Sequence, residues 1–148
     1  MNALLDYLNV VRALLRDIEQ TQWPAIERAA DLVADTLTHK GGVYCGEIGH
    51  GIQGDFINRA GGLAAVKTLK DSSALKVHDV LVIGSVSGRN IAPIDIVLAA
   101  RQRGAKSIGL TSLAYTQQVT SLHPSGKKLG DVVDVVIEVS GGSIGMRD

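Results

Sequence analysis

Apolar residues recur at helical spacing through the first third of the chain, with charged residues between them. The first apolar stripe comprises Leu4, Leu8, Val11, Leu15 and Ile18. A second stripe comprises Ile26, Ala30, Val33 and Leu37. This spacing lines one face of an amphipathic helix. Because proline disfavours a helical conformation in the residue before it, Pro24 predicts two helices with a break near Trp23.

Beyond Gly42 the pattern changes to short apolar runs that alternate with helical or glycine-rich segments. The runs predict five strands, at residues 43–45, 63–69, 80–84, 106–111 and 132–139. Helices are predicted between strands at residues 52–60 and 91–103. Apolar strands separated by helices are typical of a parallel sheet covered on both faces. The pattern therefore predicts a single α/β domain over residues 1–148, in which the helical residues 1–40 pack on the sheet or on a partner copy.

Composition narrows the range of partners. The 148 residues carry no formal net charge and only 3% aromatic residues, which disfavours nucleic acid and a membrane surface. No apolar run approaches the roughly 20 residues of a membrane span, and the N-terminus lacks the pattern of a signal peptide, so we expect a cytoplasmic protein. Cys45 is the only cysteine. We therefore expect no disulfide within the chain and no metal site built on cysteines, with Cys45 as a core residue. No other residues are assigned to a metal, and no cofactor is expected.

The most informative segment follows the third predicted strand. Residues 85–90 read Ser-Val-Ser-Gly-Arg-Asn, between an apolar strand and the start of a helix. The hydroxyl groups of Ser85 and Ser87 lie there beside the free backbone N–H groups and the positive dipole end of the helix. Such a junction is suited to bind phosphate. The alternative is an ordinary turn in which Asn90 caps the helix.

The loop after the first predicted strand is also rich in glycine, but its spacing differs from that of nucleotide-binding loops. Residues 46–51 read Gly-Glu-Ile-Gly-His-Gly rather than Gly-x-Gly-x-x-Gly, and they lack the Gly-Lys-Ser/Thr ending of a P-loop. Asp71 lies at a spacing that would suit a ribose ligand, but in a polar stretch beyond the second predicted strand. The sequence therefore disfavours a nicotinamide cofactor.

Four side chains in or near the predicted loops can carry protons: Glu47, His50, Asp55 and His123. Moving a proton between sugar carbons needs a base near the carbonyl and a group that shuttles protons between oxygens, which suits a carboxylate and an imidazole. Because loops after parallel strands meet at one edge of a sheet, we expect His50 and Asp55 at the same edge as Ser87. His39 precedes the first strand and is expected at the opposite edge. Neither His39 nor His78 is assigned a role.

Together these features resemble the sugar isomerase (SIS) domain proteins over nearly the whole chain. The resemblance is strongest to an uncharacterised SIS branch whose members are often labelled phosphosugar or phosphoheptose isomerases. Four motifs carry it: Asn58-Arg-Ala-Gly-Gly-Leu63, Ser85-Val-Ser-Gly-Arg-Asn90, Leu110-Thr-Ser-Leu-Ala114 and His123-Pro-Ser-Gly-Lys-Lys-Leu129.

The resemblance implies a three-layer, flavodoxin-like fold with a five-stranded parallel sheet, and dimers whose sites lie near the subunit interface. By position, the residues that it implies for phosphosugar binding are Gly49, Gly51, Arg59, Ser85, Ser87, Gly88, Arg89, Asn90, Thr111 and Ser112. Asp55 with Arg59 is similar in placement to a Glu and Arg pair of the phosphoheptose isomerases, in which the Glu is the base.

Three hypotheses of function follow. In the first, the chain interconverts aldose and ketose forms of a phosphorylated sugar, with Asp55 or Glu47 as base and His50 or His123 moving oxygen-bound protons. In the second, the same crevice binds a phosphosugar without turning it over, as a regulatory or sensor module. In the third, the chain is a structural dimer with a vestigial site. Apart from these hypotheses, the stripe of leucine and valine on the N-terminal helix is larger than a short parallel sheet needs for cover. It predicts a homodimer or higher symmetric oligomer, with the N-terminal helix at or near the interface.

Overall fold

The fold alternates strands and helices after one long N-terminal helix. The structure, a computed structural model, describes residues 2–46, 52–57 and 60–139. The helices are α1 (Ala3–Thr38), α2 (Ile52–Phe56), α3 (Ile91–Gln102), α4 (Leu113–Gln117) and α5 (Leu129–Val132). The strands are β1 (Val43–Gly46), β2 (Val66–Leu69), β3 (Val80–Gly84), β4 (Lys106–Thr111) and β5 (Val135–Glu138). A short 3₁₀ turn, Ser72–Ala74, follows β2.

The strands form one sheet in the order β2-β1-β3-β4-β5, and every neighbouring pair is parallel. This confirms the predicted five-stranded parallel sheet. β3 and β4 begin and end where the apolar pattern predicts. β2 and β5 begin later than predicted, and Val132 belongs to α5 rather than to β5. Leu129 and Val132 belong to this helical turn and are buried against α3 and its neighbours. A run of β-branched residues is compatible with a helical turn as well as with a strand, so the sequence pattern does not distinguish the two.

The predicted break near Trp23 is wrong, because α1 is one helix of 36 residues with Pro24 inside it. A proline within a helix removes one backbone hydrogen bond, from its own position to the carbonyl four residues earlier. Both Pro24 and Gln20 are exposed, so water can bond to the carbonyl of Gln20 that loses its donor. Helix α2 is also shorter than predicted, ending at Phe56 rather than at Ala60.

Side chains of the central strands alternate between two apolar layers. Val80 and Val82 of β3 pack with Ala29 of α1, whereas Leu81 and Ile83 face the other side of the sheet. That second layer is completed by buried residues of α3 and α5, which are Ile94, Val97, Ala100, Leu129 and Val132. Because both faces of the central strand β3 are buried, that strand is apolar throughout rather than alternating in polarity.

Cys45 is fully buried in β1, as predicted, and burial raises the pKa of its thiol. A raised pKa keeps the thiol protonated, which suits a small core side chain rather than a nucleophile. Among the described residues, no helix is long and apolar enough to cross a membrane.

Candidate functional site

The strand order places a crevice at the carboxyl edge of the sheet. The chain passes from β1 to β2 on one side and from β3 to β4 on the other, so the connections diverge between neighbouring β1 and β3. In open α/β sheets, ligands bind outside the carboxyl ends of the strands at such a divergence. The loop of residues 85–90, here called the β3–α3 loop, begins at this point.

Every carbonyl from residue 85 to residue 89 accepts a hydrogen bond from the protein. The donors are the Gly88 N–H (3.1 Å, to Ser85), the Ser112 N–H (3.0 Å, to Val86), the Thr116 hydroxyl (3.0 Å, to Ser87), the Leu129 N–H (2.8 Å, to Gly88) and the Leu122 N–H (2.9 Å, to Arg89). The Gly88 N–H is in the loop itself, whereas the other four donors lie outside it. The negative ends of the peptide dipoles from residue 86 to residue 89 are therefore turned into the protein body.

The loop's donors, in contrast, are left available. Within the described part of the chain, the N–H groups of Val86, Ser87, Arg89 and Asn90 have no acceptor, and the hydroxyls of Ser85 and Ser87 have no hydrogen-bond partner. Successive unpaired N–H groups in a turn form a concave site that favours anions. The polarity of this loop is therefore that of an anion-binding site.

Positive charge adds to this polarity from two sources. Asn90 is the N-cap residue of α3 but makes no side-chain capping bond, so the first N–H groups of the helix keep their partial positive charge. The side chain of Arg89 contributes a guanidinium group, and its buried Nε has no hydrogen-bond partner among the described residues. A buried donor of this kind costs free energy unless an acceptor is supplied.

Thr111 and Ser112, both predicted as ligand contacts, lie buried beneath the β3–α3 loop. Thr111 donates its hydroxyl to the Val86 carbonyl at 3.2 Å, and the Ser112 hydroxyl caps α4 by accepting from the Tyr115 N–H at 3.4 Å. Thr116 supports the loop in the same way but was not predicted from the sequence. It lies in α4, a helix of five residues that is too short to give a recognisable apolar period.

His123 is predicted as a proton carrier, and the structure gives both of its ring nitrogens a partner. Nδ1 accepts from the Ser125 N–H at 3.1 Å and lies 2.6 Å from its hydroxyl, so Nε2 carries the proton and donates to Asp95 at 3.0 Å. The side chain is only 11% exposed. Asp95 is in the second turn of α3, and the neighbouring Leu122 N–H bonds to Arg89. His123 therefore holds its own loop against the start of α3.

The other predicted site residues belong to the segment after β1. Asp55 is exposed on α2, and the neighbouring Gln53 bonds through its side chain to Thr68 near the carboxyl end of β2 at 2.9 Å. This places α2 at the predicted edge of the sheet, whereas His39, which precedes β1, lies at the opposite edge. The remaining predicted residues, which are Glu47, Gly49, His50, Gly51 and Arg59, lie outside the described residues.

A cavity of about 380 Å³ opens at the same edge, beside the ends of β1 and β2. It is lined by Gly46, Leu69, Lys70, Asp71, Ser72 and Ile96. Asp71 accepts from both the N–H and the hydroxyl of Ser73, which lowers the pKa of its carboxyl and makes it the cap of the 3₁₀ turn. Lys70 was not predicted as a site residue. In the sequence, nothing distinguishes it from the other lysines of the chain.

Comparison with known proteins identifies the family. The sequence model of the SIS domain matches residues 6–74 and 65–112. A UPF0309 protein of Halalkalibacterium halodurans is 34% identical over 166 aligned positions, which cover 93% of this chain and 69% of that protein. The chain belongs to the SIS domain family.

Other members of the family extend beyond the length of this chain. A UPF0309 protein of Streptomyces coelicolor is 34% identical over 163 aligned positions, covering 89% of this chain and 65% of that protein. The chain thus spans about two thirds of the length of these relatives.

Solved structures confirm the fold of this SIS domain. The phosphoheptose isomerase of Neisseria gonorrhoeae aligns with a TM-score of 0.71 at 20% identity, over 93% of this chain and 84% of that one. A phosphoheptose isomerase from Francisella tularensis aligns with a TM-score of 0.69 at 18% identity, over 98% and 90% of the two chains. At 18–20% sequence identity, these two alignments show that the fold is shared.

The packing of Thr111 and Thr116 beneath the β3–α3 loop predicts that two glycines with the same left-handed conformation tolerate alanine to different degrees. Gly88 has φ +60°, and a Cβ there would lie 3.0 Å from the Thr111 hydroxyl oxygen and 3.2 Å from that of Thr116. Gly126 has φ +72° and no atom within 4 Å of such a Cβ. Gly88→Ala should lower the free energy of unfolding by about 2–3 kcal/mol, and Gly126→Ala by only about 1 kcal/mol. Urea denaturation measures both, and equal losses would contradict the described packing.

Proposed function

We propose that this SIS domain binds a phosphorylated sugar, with the phosphate held by the β3–α3 loop. The observation that carries the proposal is the polarity of that loop. Its carbonyls from residue 86 to residue 89 are bonded to the protein body, whereas four of its N–H groups, its two serine hydroxyls and the Nε of Arg89 have no partner among the described residues. A phosphate dianion needs several donors and no nearby acceptor, which is the condition that this loop meets. In this proposal Ser85 and Ser87 donate to the phosphate directly, and Thr111 and Ser112 act by holding the loop.

The sugar portion would extend from the phosphate along the carboxyl edge toward the ends of β1 and β2. The cavity there has a volume suited to a small ligand and is lined by polar residues, among them Lys70 and Asp71, as well as by the apolar Leu69 and Ile96. The phosphoheptose isomerases that share the fold supply a precedent for a sugar phosphate as ligand. Hexose, heptose and amino-sugar phosphates are the compounds to test.

We further propose that the chain is an aldose–ketose isomerase. Asp55 or Glu47 would remove the carbon-bound proton, and His50 would move protons between oxygens, since His123 is engaged by Asp95 and Ser125. Both carboxylates follow β1, which is the neighbour of β3 in the sheet. The alternative is a sensor module that binds the same ligand at the same loop without turning it over.

Self-association through α1 is also proposed. Ala25 is the first buried residue of this helix, so roughly 20 residues, or about 30 Å of helix, precede the point where it packs on the sheet. Large apolar side chains lie exposed along that part, among them Leu4 (64% exposed), Tyr7 (61%) and Leu15 (62%). Further along, α1 borders an apolar groove of about 420 Å³ against the sheet, lined by residues that include Val33, Leu37 and Phe56. Apolar surface of this extent favours a partner, and we propose a second copy of the chain.

Loss of the Ser87 hydroxyl should weaken phosphosugar binding without unfolding the protein. A hydrogen bond to a charged group contributes about 1.5–3 kcal/mol, so Ser87→Ala should raise the Kd about 10- to 100-fold by calorimetry. Thr38→Ala is the control, since it removes an exposed hydroxyl at the opposite edge of the sheet and should leave the Kd unchanged. If the parent binds a sugar phosphate and Ser87→Ala binds it equally well, the loop does not hold the phosphate.

Replacing the proposed base should separate catalysis from binding. Asp55→Asn removes the proton acceptor and should lower kcat for aldose–ketose interconversion at least about 100-fold, while the Kd changes little. Asp31→Asn, an exposed carboxylate on α1, is the matched control and should keep full activity. Full activity in Asp55→Asn would move the role to Glu47, and a parent protein that binds every tested sugar phosphate but converts none would favour the sensor alternative.

The proposed self-association predicts that light scattering at micromolar concentration gives at least twice the monomer mass of 15.6 kDa. Leu15→Lys places a charge in the exposed apolar stripe of α1 and should shift the mass toward that of the monomer. A monomeric parent would refute the proposed interface.

A further inference from the structure

A second cluster of chemically active side chains lies at the amino edge of the sheet, away from the β3–α3 loop. Asp35 and His39 are one helical turn apart at the end of α1, and His78 comes two residues before β3. Each of the three offers a ligand atom, and these atoms all lie within 4.8 Å of one another. Residues far apart in the sequence are thereby brought to one point by the fold.

The two imidazoles are arranged face to face. Their ring centroids are 4.7 Å apart and the planes differ by 8°. The Nδ1 of His39 lies 2.9 Å from the Asp35 carbonyl oxygen and 3.2 Å from its carboxylate. The side chains of His39 and Asp35 are 49% and 64% exposed, so an ion could enter and keep bound water.

The backbone that carries the two histidines is fixed by interactions between their segments. A Cβ on Gly41 would lie 2.0 Å from the His78 carbonyl oxygen, so only glycine allows this close approach. The neighbouring Gly42 donates its N–H to the carboxylate of Asp79 at 2.7 Å and accepts from the Val80 N–H at 3.0 Å. Because Asp79 is fully buried, this connection is shielded from water. The relative position of the two backbone segments that carry the rings is therefore set by the fold.

A further feature favours a cation here. The C-terminal end of a helix carries partial negative charge, and the last turn of α1 contains no lysine or arginine. His78 has φ +70°, a left-handed conformation in which histidine, asparagine and aspartate are enriched among residues other than glycine.

We propose that Asp35, His39 and His78 bind a divalent transition-metal ion, with Zn²⁺ as the probe. Two imidazoles and one carboxylate suit zinc, with water completing the coordination. Ligand distances of about 2.0–2.2 Å bring the ligand atoms to about 3.3–3.5 Å from one another, so the three exposed side chains must close in. The two rings must also turn out of their stack, so that one nitrogen of each points at the ion. The ion joins the end of α1 to the start of β3, and the site is independent of the proposed phosphosugar function.

Calorimetric titration with ZnCl₂ tests the site. The parent should bind one Zn²⁺ per chain with a micromolar Kd, and Asp35→Asn, His39→Gln and His78→Asn should each raise the Kd at least about 10-fold. Asparagine at position 78 removes the imidazole but accepts the left-handed conformation, so the variant should keep its fold. Asp31→Asn, one turn earlier on α1, is the matched control and should bind Zn²⁺ like the parent.

A second measurement locates the ion without mutation. Anomalous diffraction at the zinc edge should give a peak about 2.0–2.2 Å from a ring nitrogen of His39, a ring nitrogen of His78 and a carboxylate oxygen of Asp35. Absence of Zn²⁺ binding up to about 1 mM, parental affinity in all three cluster variants, or a peak elsewhere in the chain would overturn the proposal.

Discussion

The bonding of four consecutive carbonyls, from residue 86 to residue 89, into the protein body is the constraint on which the candidate site depends. Those bonds come from Ser112 just after β4, from α4, from α5 and from the segment that carries His123, so four separate parts of the chain fix one loop. A peptide group whose carbonyl is bonded inward directs its N–H the other way. An anion-binding surface therefore follows from how the loop is supported, in addition to the serine and glycine residues that it contains.

The sheet makes this support possible. Because β1, β3 and β4 are parallel neighbours, their carboxyl ends bring the β3–α3 loop, Thr111 and Gly46 to one edge. Apolar layers on both faces hold the strands in register, with Leu81 and Ile83 on one side and Val80 and Val82 on the other. The amino edge is fixed in its own way, through the buried Asp79 and the close approach of Gly41 to His78. The carboxyl edge and the amino edge of the same sheet can therefore carry two different binding sites.

The sequence predicts those features that a local pattern determines. β3, β4 and α3 are bounded by clear signals, such as the end of the apolar run at Gly84 and the left-handed Gly104 after α3. The continuity of α1 through Pro24 could not be predicted, because a proline is compatible with a helix wherever water can bond to the carbonyl that it leaves unpaired. For the site, the residues of the β3–α3 loop could be identified from the sequence. Three other features could not be predicted: the burial of Thr111, the hydrogen bond from Thr116 to the loop and the contact between His39 and His78. They depend on contacts between segments that are far apart in the sequence, which a local pattern does not predict.

The central claim is that the donors of the β3–α3 loop hold the phosphate of a sugar phosphate. Amide chemical shifts followed by NMR during titration with hexose, heptose and amino-sugar phosphates test it most directly, because each N–H reports its own hydrogen bond. The account predicts that the largest saturable shifts occur at Ser87, Arg89 and Asn90, with the amides of His39 and His78 unchanged. Saturable shifts that leave those three amides unmoved, or no saturable shift with any of the compounds, would contradict it.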